Sequence, residues 1–277
     1  MSGTLYIVPT PIGNLGDISA RALEVLAAVD VIAAEDTRHT RKLLNHFGIG
    51  TKAVSLHAHN ENQRSAQMLS YLDNGQSLAL VSDAGTPLIS DPGYPLVTAV
   101  RQAGFEVIAL PGPCAAITAL SAAGLATDRF CFEGFLPAKK AGRIEALQTL
   151  AAESRTMVFY ESPRRVLDTL AAIAEVFGES RQLVVAKELT KRFETFISGT
   201  SAEVIAWFQA EQERQQGEMV VMVAGATKEQ DQGFEQALQL ANKLQPLMPP
   251  KQAAGIAADT FGCKKNAIYK AMMAEEE

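Results

Sequence analysis

Only three cysteines, Cys114, Cys131 and Cys263, occur in the 277 residues, and no two stand in Cys-x-x-Cys spacing. An odd, scattered set excludes a disulfide framework and a zinc ribbon, and it fits a reducing compartment. Long apolar runs are missing too. The most apolar later stretch, residues 115–126, is rich in alanine and too short to span a bilayer. No secretory leader is legible, because Leu5, Tyr6, Ile7 and Val8 read as a strand that runs straight into a Pro/Gly loop. The chain is therefore expected to be soluble and cytoplasmic, with no membrane partner. A basic excess is absent as well. The formal net charge of -6 argues against a uniformly basic nucleic-acid coat while leaving room for a local basic groove. The common fingerprints also fail to appear: no G-x-x-x-x-G-K-S/T, no G-x-G-x-x-G after a strand, no G-x-S-x-G elbow and no H-E-x-x-H.

What is present is ordinary globular composition, 47% hydrophobic and 20% charged, in a length that suits about two domains. Strand signals at residues 5–8, 31–34, 53–57, 77–81 and 106–110 alternate with helical ones. Ser19 reads as the N-cap of the first helix, with Leu23, Leu26 and Ala27 on one face. Leu43, Leu44 and Phe47 form the stripe of the next, closed by Gly48. Met68, Leu69 and Leu72 mark a third, closed by Asn74 and Gly75, and further helices are expected over 95–103 and 115–123. Five alternations predict a parallel sheet flanked by helices.

Each of these strands ends in a polar or Gly/Pro loop: residues 9–14, 35–39, 57–61, 82–93 and 111–114. A parallel sheet puts all five on one edge, where α/β proteins bind ligands. The loop at 82–93 is too long for a plain turn, and its Asp, Gly, Thr, Pro and Ser residues build a shaped, rigid segment. Asp83 and Asp91 stand in it, and each taken alone reads as a turn-forming aspartate.

Beyond Thr127, Asp128 and Arg129 the pattern changes. Strands at 129–132, 156–160, 182–186, 193–199 and 218–224, with a helix over 163–176, predict a second α/β unit of mixed strand direction. Residues 227–233 read as a polar linker. Three short helical patterns follow, with a turn at Phe261, Gly262 and Cys263 before the last, so the tail is a helix-turn-helix or a plain helical cap. The expected domains are 1–126, 127–226 and 234–277.

Among chemistry-bearing groups, Glu35, Asp36, Thr37, Arg38 and His39 crowd one strand end. Capping alone requires only Asp36 or Thr37, so Arg38 and His39 speak for function. His57, His59 and Glu61 are in phase on an extended segment, but no further His or Cys cluster completes a metal site, and no metal is expected. Basic groups recur at Lys139, Lys140 and Arg143; Arg164 and Arg165; Lys187, Lys191 and Arg192; and Lys264, Lys265 and Lys270. Each alone is an ordinary solvated face. Together, in an acidic protein, they suit a polyanion held through its phosphates.

Several of these motifs, taken in order, resemble one family. They are residues 8–15, 35–40, 82–94 and 110–116, then Gly134, Phe135, Leu136 and Pro137, then Phe159, Tyr160, Glu161, Ser162 and Pro163. The chain is similar to the bacterial small-subunit ribosomal RNA ribose 2′-O-methyltransferases of the tetrapyrrole-methylase (class III methyltransferase) superfamily. The likeness extends to the tail at 251–270. It implies two α/β domains with S-adenosylmethionine in the cleft between them, a helix-turn-helix extension and a homodimer. It further implies methylation of a cytidine 2′-hydroxyl in the decoding centre of 16S ribosomal RNA, within the small ribosomal subunit. By that resemblance the cofactor contacts are Pro9, Thr10 and Pro11; Asp83, Ala84, Gly85 and Thr86; Cys114 and Ala115; and Phe159 and Tyr160. A weakly nucleophilic hydroxyl benefits from a base. Asp36, His39 and His57 are the candidates, with Arg38 or Lys187 as partners to phosphate or oxyanion. The basic residues just named, Lys139 to Lys265, are expected to meet RNA. Two alternatives stay open, a tetrapyrrole C-methyltransferase and a non-catalytic RNA-binding factor. The first loop, Pro-Thr-Pro-Ile-Gly, departs from the glycine-rich form of tetrapyrrole methylases and argues against the former.

Overall fold

Short apolar runs bounded by loops form the first sheet. They are β1 (Thr4–Ile7), β2 (Val31–Ala34), β3 (Lys52–Ser55), β4 (Leu78–Val81) and β5 (Glu106–Ala109). In the computed structural model, which describes residues 3–57, 60–226 and 228–274, these strands are all parallel, in the order β3-β2-β4-β1-β5. Every residue of β2 and β4 is buried, as expected of central strands covered on both faces. The covering helices are α1 (Ala20–Ala28), α2 (Thr37–His46), α3 (Glu61–Asp73), α4 (Tyr94–Gln102) and α5 (Ala115–Ala122). Ser19 caps α1 by accepting from the Ala22 N–H, and Asp36 caps α2 by accepting from the Arg38 N–H. Because β4 sits between β2 and β1, the loops after β2, β4, β1 and β5 are consecutive neighbours along one edge.

The chain divides into two compact units, Met1–Ala119 with Glu188–Thr195, and Leu120–Lys187 with Phe196–Glu277. The second unit carries its own sheet: β6 (Phe130–Phe135), β7 (Thr156–Glu161), β8 (Gln182–Lys187), β9 (Thr195–Thr200) and β10 (Met219–Val223). The order is β6-β7-β10-β8-β9. β6 runs parallel to β7 with an irregularity between Phe132 and Gly134, and β10 runs antiparallel to both β7 and β8. The expected mixed sheet is present. Around it lie α6 (Lys140–Thr149), α7 (Val166–Phe177) and α8 (Ser201–Ala210), the last opened by a capping box between Thr200 and Glu203. α6 and α8 add to the elements expected from periodicity. Their fully buried apolar positions are few, Leu147 in one and Val204 with Phe208 in the other.

The tail folds as α9 (Lys228–Leu244), α10 (Pro250–Phe261) and α11 (Lys265–Ala274) around Ala237, Ala241, Ala253, Ala254, Ala257, Ala258, Ile268 and Met272. Gly262, at φ 66°, terminates α10 in the left-handed region and makes the expected turn. The stretch expected as a linker is instead helical from Lys228 onward, and Thr227 lies outside the described residues. Among the described residues no helix is long and apolar enough to cross a membrane.

Candidate methyl-donor site at the first sheet edge

Three loops at the carboxyl edge of the first sheet are stitched into one surface. Thr10 and Gly85 exchange two backbone hydrogen bonds of 2.9 and 3.0 Å. The Thr10 hydroxyl donates to the Ser82 carbonyl at 3.2 Å, and the Thr86 hydroxyl donates to the Pro113 carbonyl at 2.8 Å. A Cβ on Gly112 would stand 2.6 Å from the Pro9 Cβ, so only glycine lets those two loops approach this closely. Leu88 and Ser90 both sit in the left-handed region, at φ 72° and 69°. Such strain persists only where the surroundings over-determine it, and it collects at functional loops.

Carboxylates crowd the same edge. Asp83 accepts the Asp36 N–H at 3.0 Å, and the Asp83 N–H donates to the Glu35 carboxylate at 3.3 Å. Glu61, buried at the start of α3, accepts the Gly93 N–H at 2.5 Å and anchors the end of the long loop. Burial lifts the Glu35 carboxyl above its usual range, with the charges of Asp83 and Asp36 adding to the effect against the Asp83 N–H bond. Asp91 is lifted further, to about 6, chiefly by burial and then by the charges of Glu35 and Asp83, with a hydrogen bond to Ser82 opposing. Carboxylates held at this proximity without a cation resist ionisation. A cationic ligand would relieve that repulsion, so the donor set fits a sulfonium-bearing cofactor.

Of the residues expected at the cofactor, the structure brings Pro9, Thr10, Asp83, Gly85, Thr86 and the Cys114 loop together. Pro11 and Ala84 lie in the same loops, and Ala115 opens α5. Phe159 and Tyr160 belong to the second unit. Phe159 is fully buried in that unit's core, so its ring is committed to packing, while Tyr160 meets the rings of Phe132 and Phe135 edge-on at 4.9 and 5.6 Å.

Among the expected catalytic groups, Asp36 accepts from the Arg38 backbone N–H at 2.8 Å and pairs with its guanidinium at 2.8 Å. Those bonds, led by the Arg38 side chain, hold its carboxyl well below the usual range. It is a cap and a poor proton acceptor. His39 is exposed in the first turn of α2. The His57 N–H donates to Asn60 Oδ1 at 2.9 Å, while His59 lies outside the described residues. Lys187 is in the second unit, where its Nζ donates to the Glu213 carbonyl at 3.3 Å. No group of three or more His, Cys, Asp and Glu side chains suited to a metal ion occurs among the described residues.

The basic groups divide sharply. Lys139, Arg164, Lys264 and Lys265 are exposed, as is Lys140, whose Nζ is 3.7 Å from Glu175. Burial pulls the Lys264 pKa down, with Glu175 opposing. Arg143 is no surface group. Its side chain is 3% exposed and pairs with Asp168 at 3.4 Å, because the N-terminal turn of α6 packs onto α7. Arg165 is likewise turned inward, with its Nη2 on the Leu136 carbonyl at 2.5 Å and its Nε 3.2 Å from the fully buried Glu161. Neither guanidinium is offered to a phosphate. Lys191 is half-buried beside Glu188 at 2.9 Å, and Arg192 is exposed. Asp91 reads from the sequence as a turn-forming aspartate. Its loop shared with Asp83 was the available signal, but its burial arises only from tertiary packing.

The matched family models define the class first. Residues 4–205 match the family described as Tetrapyrrole (Corrin/Porphyrin) Methylases, and residues 231–276 match the RsmI C-terminal HTH domain. Solved structures share the fold. Diphthine synthase superposes with a TM-score of 0.61 at 13% identity over 83% of this chain and 93% of that one. The uroporphyrin-III-C-methyltransferase of Thermus thermophilus gives 0.56 at 18% identity over 80% and 94%. Closer relatives are curated proteins named ribosomal RNA small subunit methyltransferase I. That of Escherichia coli O157:H7 is 56% identical over 97% of this chain and 94% of its own, and that of Haemophilus influenzae is 50% identical over 100% and 99%. The chain belongs to the ribosomal RNA small subunit methyltransferase I family, within the tetrapyrrole methylases, and is a methyltransferase.

Proposed function

We propose that the protein transfers a methyl group from S-adenosylmethionine to ribosomal RNA of the small subunit, at the 2′-hydroxyl of a cytidine in the decoding centre of 16S ribosomal RNA. The observation that carries this reading is the 56% identity, over nearly the whole of both chains, to a protein named for that RNA subunit. We propose a cytoplasmic homodimer, with the domain division 1–126, 127–226 and 234–277.

The bound cofactor would supply a methyl group already activated on a sulfonium. The task left to the protein is alignment and exclusion of water. In this reading the backbone of Pro9, Thr10, Pro11, Ala84, Gly85, Thr86, Cys114 and Ala115 cradles the donor. Asp83 and Asp91 face its positive charge. Asp36 caps α2 and pairs with Arg38, whose side chain is 88% exposed and would meet a phosphate from within that pair. Proton removal from the ribose falls to His39 or His57, since Asp36 is held too acidic. Arg38 and Lys187 offset charge on the RNA backbone. Lys139, Lys140, Arg164, Lys191, Arg192, Lys264 and Lys265 contribute affinity without sequence choice.

Mass mapping of ribosomal RNA from a deletion strain tests the reading. One 2′-O-methyl group should vanish from the small-subunit RNA and return when the gene is restored. An unchanged methylation map would refute it. Purified protein that methylates uroporphyrinogen and spares ribosomal subunits would refute it in favour of a tetrapyrrole substrate.

A further inference from the structure

We propose that Phe193, with Arg192 beside it, is a stacking platform for an unpaired base of the RNA substrate and so positions the target strand at the first sheet edge; this rests on the RNA reading above. The segment that carries it, Glu188–Thr195, belongs to the first unit although it lies between β8 and β9 in sequence. It is a strained and heavily fastened turn. Glu188 and Thr190 occupy the left-handed region at φ 52° and 63°, a rare conformation for any residue with a side chain and rarer for a β-branched one. The Thr190 N–H donates to Glu194 at 2.5 Å, Lys191 pairs with Glu188 at 2.9 Å, and the Thr195 hydroxyl donates to the Phe193 carbonyl at 3.1 Å.

The turn is seated on the first loop of the candidate site. The Asn14 N–H donates to the Thr190 hydroxyl at 3.1 Å, and a Cβ on Gly13 would stand 2.6 Å from Lys191 Cγ. Gly13 thus keeps the space the Lys191 stem fills. At the tip, Phe193 is 67% exposed, and the Arg192 guanidinium lies 5.5 Å from its ring centroid. The fastened turn holds this apolar ring in solvent, where a partner can cover it. An aromatic face flanked by a guanidinium matches a nucleobase with its adjoining phosphate, because every base offers a π-face and every nucleotide a negative charge.

The test uses the full chain, labelled S-adenosylmethionine and small ribosomal subunits or their RNA. Phe193→Ala should raise KM for RNA about tenfold or more, with kcat, cofactor affinity, melting temperature and molecular mass by light scattering all unchanged. Phe193→Trp should restore KM. An unchanged KM in Phe193→Ala would overturn the platform while leaving the activity standing. A lower mass would overturn it by marking Phe193 as a contact between copies, and a lower melting temperature would do so by marking it as packing. Wild-type protein inactive on either RNA substrate would overturn the activity and the platform together.

Discussion

At the edge of the first sheet, burial raises the proton affinity of Glu35 and Asp91, the charge of Asp83 adds to both, and Asp83 itself accepts the Asp36 N–H. Inside the second unit, Glu161 is equally acidic in kind, yet it is fully buried and matched by Arg165, by the Thr169 hydroxyl at 2.5 Å and by the Ser162 N–H at 2.7 Å. The first arrangement is like charge gathered on one edge. The second is charge neutralised within the fold. The parallel sheet gathers its loops on one side and so concentrates like charge. The mixed sheet brings Glu161, at the end of β7, against the first turns of α7, where a complementary cation is near.

That contrast can be broken at several points. The largest effect is expected from Arg165→Met, which strands the buried Glu161 carboxylate; loss of one partner of a buried pair costs about 3–5 kcal/mol, readable as a lower midpoint in urea. Next is pH. A cation held by Asp91 needs the ionised form, so protonation competes with binding, and affinity for S-adenosylmethionine should fall as pH drops below about 6. The limiting decline is about tenfold per pH unit, and calorimetry between pH 7.5 and 5 would record it; flat affinity would detach Asp91 from the cofactor.

A smaller effect concerns the cofactor-free protein. The Asp91 pKa in the fold, about 6, lies above the 3.8 of a free aspartate. The stability linked to its proton is therefore full below the unfolded value and lost as pH rises through about 6. Asp91→Asn should stabilise the cofactor-free protein at neutral pH by about 1 kcal/mol once solvent screening is allowed for, seen as a higher melting temperature. The smallest effect separates the two kinds of cation. Lys139→Gln should lower the salt dependence of RNA binding by about one unit of slope or less. Arg143→Gln should leave that slope alone and reduce thermal stability, since Arg143 is buried against Asp168.

Much of the first unit was legible because its signals are local. Val31–Ala34 reads directly as a buried strand, and Asp36 at its end reads as a cap. Five strand-end loops on one edge follow from parallel pairing alone. What escaped sequence reasoning depends on distant partners. Arg143 and Lys139 look alike in sequence, and only packing against Asp168 separates them. Asp91 resembles any aspartate before Pro-Gly until burial beside Glu35 and Asp83 raises its pKa. α6 and α8 carry too few buried apolar residues to announce a stripe. Phe193 reads as the start of a strand, yet β9 begins at Thr195, because the strained turn holds the ring outside the sheet.

We propose that the carboxyl edge of the first sheet receives a cationic methyl donor. Calorimetric titration of S-adenosylmethionine into the wild-type protein and into Asp91→Asn at pH 7.5 tests it most directly. Removing one charge-assisted contact worth about 1.5–3 kcal/mol predicts a dissociation constant raised about tenfold to a hundredfold in a variant that melts no lower than wild type. Wild-type affinity in that variant would place the donor away from Asp91.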